Sequence, residues 1–118
     1  MSIEFYGYKR CDTCRKAEKA LQAADQAYHF TDITVQAPPR ELLSLALKSG
    51  LRLADLFNRS GVQYRELNMK EKLKAMSEDE ALDLLAQEGR LCKRPLVTDG
   101  KRVTVGYRVG DFESVWCP

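Results

Sequence analysis

The pair Cys11-Asp12-Thr13-Cys14 stands where an extended segment gives way to a helical one. Ile3, Phe5 and Tyr6 form a short β-prone run, and Gly7 to Arg10 reads as a turn carrying two positive charges. From Asp12 onward, Ala17, Ala20, Leu21 and Ala24 recur at helical spacing. Two thiols separated by two residues at such a junction are the arrangement of thiol–disulfide chemistry.

The location carries the chemistry. The first N–H groups of a helix have no intrahelical partner and bear partial positive charge. A thiolate placed there is favoured over its thiol, and its pKa falls from about 8.5 toward neutrality. Cys11 is expected at or just before the helix start, as the nucleophile. Cys14 follows about one turn later, less exposed, placed to close a disulfide by attacking an adduct on Cys11. Arg10 and Arg15, with Lys9 and Lys16, are expected to tune Cys11 electrostatically, with Asp12 partly opposing them.

The rest of the chain continues a β-α-β unit. Residues 2–6 read as a strand, 12–25 as a helix and 27–33 as a second strand, parallel to the first. Proline is tolerated in a first helical turn, so a helix is expected from Pro39 or Arg40 to near Gly50. Short helical segments follow at 53–57 and 64–68. Ser77 with Glu80 forms a capping box ahead of the stripe Leu82, Leu85 and Ala86, and Gly89 ends that helix. Residues 95–98 and 102–105 read as a hairpin turned at Asp99-Gly100, and Asp111 to Trp116 as a terminal helix. The expected fold is α/β: a mixed, thioredoxin-like (glutaredoxin-like) sheet, β-α-β then β-β-α, with a helical insertion at about 34–90. A chain of 118 residues fits one domain, 1–118.

Composition narrows the function. A net charge of +2 lacks the basic excess of a direct nucleic-acid binder. No apolar stretch is long enough to span a bilayer, and no signal-peptide pattern precedes the first strand, so a cytoplasmic location is expected. In that reducing compartment a CxxC pair is reactive rather than structural. A four-ligand zinc site needs a second pair or suitably spaced histidines. Cys92 and Cys117 are far apart and the one histidine, His29, lies in a predicted strand, so no metal and no bound cofactor are expected.

Two longer motifs, Tyr8-Lys9-Arg10-Cys11-Asp12-Thr13-Cys14-Arg15-Lys16-Ala17 and Lys93-Arg94-Pro95-Leu96-Val97-Thr98-Asp99-Gly100-Lys101, carry a family resemblance. Leu56-Phe57-Asn58-Arg59-Ser60 and Val105-Gly106-Tyr107 support it. The chain resembles the arsenate reductase (ArsC)/Spx superfamily over nearly its whole length, closest to the CxxC-containing reductase-like and Spx-MgsR branch. The resemblance implies that Cys11 attacks arsenic or a disulfide sulfur, and that Arg94 precedes a cis proline, Pro95, beside the cysteine turn. It also implies that Arg59 joins Cys11 and Arg94 around an oxyanion, a task suited to paired guanidinium hydrogen bonds. Arg108 is the nearest candidate for a further arginine after the last strand.

Glutaredoxin-coupled arsenate reductases carry serine at the position of Cys14, whereas a vicinal dithiol permits an internal disulfide. The implied activity is a cytosolic thiol–disulfide or arsenate-type reductase. Cys14 or glutathione would resolve the adduct, the substrate would be a small thiol or oxyanion, and glutaredoxin or thioredoxin would be the protein partner. The alternative is an Spx-like redox-switched regulator that docks on the α-subunit of RNA polymerase. Spx regulators continue into a basic C-terminal helix where this chain has Trp116-Cys117-Pro118, which points toward the reductase.

Overall fold

The computed structural model describes residues 2–108 and 110–118. Among them, strands β1 (Ile3–Gly7), β2 (Tyr28–Asp32), β3 (Leu96–Thr98) and β4 (Val103–Val105) form one sheet in the order β2-β1-β3-β4. β1 and β2 pair in parallel, from Ile3↔Tyr28 to Gly7↔Asp32. β3 runs antiparallel to both β1 and β4. The helices are α1 (Asp12–Ala23), α2 (Arg40–Lys48), α3 (Val62–Glu66), α4 (Met69–Ala75), α5 (Glu78–Gln87) and α6 (Asp111–Trp116), with 3-10 turns at Leu53–Leu56 and Gly89–Leu91. This is the thioredoxin-like arrangement expected from the sequence, with the helical block between β2 and β3.

Strand alternation sorts the core into two layers. Phe5 and Val97 face α1 and α6, where they meet Cys14, Ala17, Leu21, Phe112 and Trp116. Their neighbours Tyr6 and Leu96 face the opposite layer, with Ile33, Leu43, Leu56, Phe57, Leu85 and Leu91. Each fully buried Leu or Phe contributes roughly 1.5–3 kcal/mol. Trp116 also donates its Nε1–H to Thr104 Oγ1 at 2.9 Å, which fastens α6 to β4.

The element boundaries have local causes. α1 stops at Ala23, two residues short of expectation, because Asp25 adopts φ 58° and Gln26 N–H turns back to the Leu21 carbonyl at 2.9 Å. β2 is trimmed to Tyr28–Asp32 because the Asp32 carboxylate accepts the Thr34 N–H at 2.9 Å and starts a turn. The capping box at Ser77 forms as expected, Ser77 Oγ accepting Glu80 N–H at 3.1 Å and Glu80 accepting Ser77 N–H at 3.0 Å. α4 was not expected. Its sequence is lysine-rich with one buried residue, Met69, and left-handed Asn68 (φ 53°) separates it from α3. At Gly89 a side chain would put Cβ 1.8 Å from the Ile33 carbonyl oxygen, so that contact between the insertion and the end of β2 requires glycine.

Candidate active site

The site begins where β1 runs out. Cys11 N–H donates to the Tyr8 carbonyl at 3.1 Å, closing the turn, and Arg15 N–H donates to the Cys11 carbonyl at 3.0 Å, opening the helix. Cys11 is therefore the N-cap of α1, with extended φ −94° and ψ 117°. Its Sγ accepts the Cys14 N–H at 3.2 Å, in the role usually taken by a serine or aspartate oxygen. Cys14 lies in the first turn and is fully buried. A Cβ on Gly7 would come within 3.3 Å of the Cys14 sulfur, so Gly7 helps make room for that thiol beneath the strand end.

The two thiols are driven apart in acidity. Cys11 is lowered to about 6, first by the hydrogen bond from the Cys14 thiol, with partial burial opposing. The Cys14 backbone N–H and the Arg94 guanidinium lower it further. Cys14 is pushed strongly up, because its thiol proton serves Cys11 and because it is buried. Cys11 is thus a half-buried sulfur favoured as thiolate, with the fully buried, protonated Cys14 thiol behind it. The other two cysteines have no such environment. Cys92 is buried and raised to about 12, and Cys117 is raised by burial and by Glu113.

Arg94 is half-buried, its guanidinium 5.5 Å from the centre of the Tyr8 ring. The Arg94–Pro95 peptide bond is cis, and Pro95 is buried behind Arg94. Cys11 and Arg94 open into a cavity of about 440 Å³ with Thr13, Asn58, Ser60, Lys93, Val105, Gly106, Tyr107 and Arg108. Lys93, Arg94 and Arg108 bring three cations to it, and no carboxylate is among its described lining residues.

The insertion reaches this cavity by pairing backbone with backbone. Phe57 bridges antiparallel to Cys92, Asn58 N–H donates to the Leu91 carbonyl at 2.8 Å, and Lys93 N–H donates to the Leu56 carbonyl at 2.8 Å. Asn58 and Ser60 thereby line the same cavity as Arg94. Arg59, expected in the anion ring, is exposed and lines a neighbouring hollow of about 230 Å³ with Phe57, Asn58, Ser60 and Lys93. Its charge also reaches Asp55, whose carboxyl is lowered first by the Arg52 N–H.

Arg10 and Arg15 are exposed, and neither is among the groups that lower Cys11; that part falls to Cys14 and Arg94. For Arg15, and likewise for Lys9, the physical reason is local pairing. Arg15 is held by the Asp12 carboxylate, and Lys9 by Glu18 at 3.2 Å and over the Phe30 ring at 3.9 Å. Sequence reasoning missed Lys93, Asn58, Ser60 and Thr13. Their one signal was adjacency to Arg94, Arg59 and Cys11 in the motifs. Arg108, the candidate for the late arginine, does line the cavity. Among the described residues no group of three or more His, Cys, Asp or Glu side chains is arranged to hold a metal, and no helix is long and apolar enough to cross a membrane.

Similar proteins match this chain over most of their length. The uncharacterised Bacillus subtilis protein YusI is 53% identical over 98% of this chain and 99% of its own. The B. subtilis regulatory protein MgsR is 30% identical over 93% of this chain and 86% of its own. A solved structure of a possible arsenate reductase from Streptococcus mutans superimposes with a TM-score of 0.84 at 40% identity, covering 91% of this chain and 92% of that one. The ArsC family pattern itself matches residues 6–115, taking in both the Cys11 turn and the Arg94–Pro95 strand, and the chain belongs to the ArsC family.

Proposed function

We propose that this protein is a cytosolic thiol–disulfide oxidoreductase of the arsenate reductase-like family, with Cys11 as nucleophile and Cys14 as resolving thiol. The observation that carries the reading is the capped Cys11 sulfur, lowered to about 6, with a protonated Cys14 directly behind it. In the first step the Cys11 thiolate attacks one sulfur of a disulfide. A Cys11 Sγ–S bond forms, the substrate S–S bond breaks, and one half leaves as a thiolate.

That step removes the negative charge from Cys11. The hydrogen bond to Cys11 and the Cys11 charge, both of which raised Cys14, disappear with it. Cys14 then loses its proton to solvent, attacks Cys11 Sγ and expels the second thiolate, leaving a Cys11–Cys14 disulfide. Two electrons have passed to the substrate, and glutathione, glutaredoxin or thioredoxin restores the dithiol. Glutathione attacking the first adduct directly is the one-cysteine route to the same end. Lys93, Arg94 and Arg108 favour an anionic thiol or oxyanion partner.

The test is disulfide reduction by the wild type, Cys11→Ser and Cys14→Ser, alongside arsenate turnover with glutathione and glutaredoxin. Loss in Cys11→Ser, with a trapped mixed disulfide in Cys14→Ser, supports the reading. Full activity in Cys11→Ser overturns it. Disulfide reduction without arsenate turnover narrows it to thiol exchange. Similarity to MgsR favours a second reading, a redox-switched regulator docking on the α-subunit of RNA polymerase. Binding to the C-terminal domain of that polymerase α-subunit, if it required the Cys11–Cys14 disulfide, would select it.

A further inference from the structure

We infer that the unpaired edge of β4 is a docking strand for an extended cysteinyl peptide, so that the substrate of Cys11 is a disulfide carried on a protein segment rather than a small-molecule disulfide. The inference rests on the thiol-exchange reading and adds the substrate class.

The first observation is the hydrogen-bond phase of the hairpin. Gly106 N–H donates to the Pro95 carbonyl at 2.9 Å, and Asp99 N–H pairs with the Arg102 carbonyl at 3.4 Å. In the register Val97↔Thr104, alternation makes Thr104 the ladder-bonded residue and turns the N–H and C=O groups of Val103 and Val105 away from β3. β4 is the last strand of the sheet, so these groups point to its unpaired edge, at a buried Val103 and a half-buried Val105, with no backbone partner among the described residues. Two residues spaced i, i+2 offer one register of strand addition.

The second observation is the space beside that edge. Val103 to Gly106 form the floor of a hollow of about 420 Å³, walled by Arg52 and Asp55 from the insertion and by Phe112 and Val115 from α6. It therefore lies between the two layers that sandwich the sheet. Its volume falls in the roughly 300–1,000 Å³ range of ligand sites. The hollow adjoins the Cys11 cavity: Lys93, Val105, Gly106 and Arg108 line both. Gly106 holds φ 75°, and the Lys93 stem lies 3.0 Å from where its Cβ would be, so the shared wall is backbone and a lysine chain. A chain bonded through its cysteine to Cys11 meets Val105 first and Val103 about 6.6 Å further on, two residues of strand rise. The carboxylate-free cavity, with its three cations, favours an acidic residue beside that cysteine.

The experiment uses the full chain as Cys14→Ser, Cys117→Ser. Cys11 is reacted with an acidic cysteinyl hexapeptide activated as its thionitrobenzoate disulfide. The Cys11–peptide S–S bond forms as thionitrobenzoate leaves with the electron pair of the broken bond. Amide hydrogen exchange is compared with that of the adduct made from 2-mercaptoethanol. The expected result is slowed exchange at Val103 and Val105 in the peptide adduct only, with Thr104 already protected in both. N-methylating alternate peptide amides, which removes the strand donors, should slow adduct formation by about ten-fold.

Equal exchange at Val103 and Val105 in the two adducts, or no effect of N-methylation, overturns the docking strand and leaves thiol exchange standing. Failure of Cys11 to form either adduct overturns both readings together.

Discussion

Replacing Cys14 separates the contributions that make Cys11 a thiolate. The Cys14 thiol is the largest lowering influence on Cys11, ahead of the Cys14 backbone N–H and Arg94. Cys14→Ala removes the side-chain donor and keeps the N–H at 3.2 Å. Cys14→Ser keeps a hydroxyl donor in its place. The Cys11 pKa should therefore rise in the order wild type, Cys14→Ser, Cys14→Ala, reaching about 8 in the last. A rate at a single pH would miss this. At pH 7 the thiolate fraction falls about ten-fold as the pKa goes from about 6 to about 8. Intrinsic nucleophilicity rises about eight-fold over the same span, for a Brønsted slope near 0.45, and nearly cancels the loss. At pH 5 the fraction falls about ninety-fold, so Cys14→Ala should react about ten-fold more slowly than wild type. At pH 9 it should react several-fold faster. The assay is iodoacetamide alkylation of Cys11 across that range, followed by mass spectrometry. A wild-type profile centred near 8.5, unmoved by either variant, would refute the electrostatic account of the site.

Arg94→Met should raise the Cys11 pKa by about one unit in the same titration, since a neighbouring opposite charge is removed. Gly89→Ala should destabilise the protein by about 3 kcal/mol or more in urea unfolding, because the added Cβ meets the rigid Ile33 carbonyl at 1.8 Å. Ser77→Ala should cost about 1 kcal/mol by the same measurement, through loss of the bond to Glu80 N–H. Asp99, held down to about 2 chiefly by the Arg102 N–H, then by the Lys101 N–H and the Arg102 side chain, stabilises the hairpin while ionised. Its contribution is present above about 3.8 and is lost as pH falls through about 2. Asp99→Asn should flatten the acid limb of the stability profile over that interval.

Much of this protein follows from local residue order. The CxxC at a strand–helix junction predicts Cys11 as cap and Cys14 as buried neighbour, because capping and the first turn involve residues three apart. The Ser77 box, the Asp99-Gly100 turn and the β-α-β opening are local in the same way. Other features depend on segments distant in the chain. Asn58 and Ser60 line the same cavity as Arg94 because residues 56–58 pair with 91–93, more than thirty positions away. Arg59 and Arg94, similar as residues, part company when one is left exposed and the other half-buried against Tyr8. Arg15 is held by Asp12, whereas Lys93 is laid across a left-handed Gly106 into the cavity. A sequence specifies which charges exist and which short-range bonds they make. The direction in which each charge acts, and hence the field at one sulfur, is set by packing between segments whose separation no local pattern records.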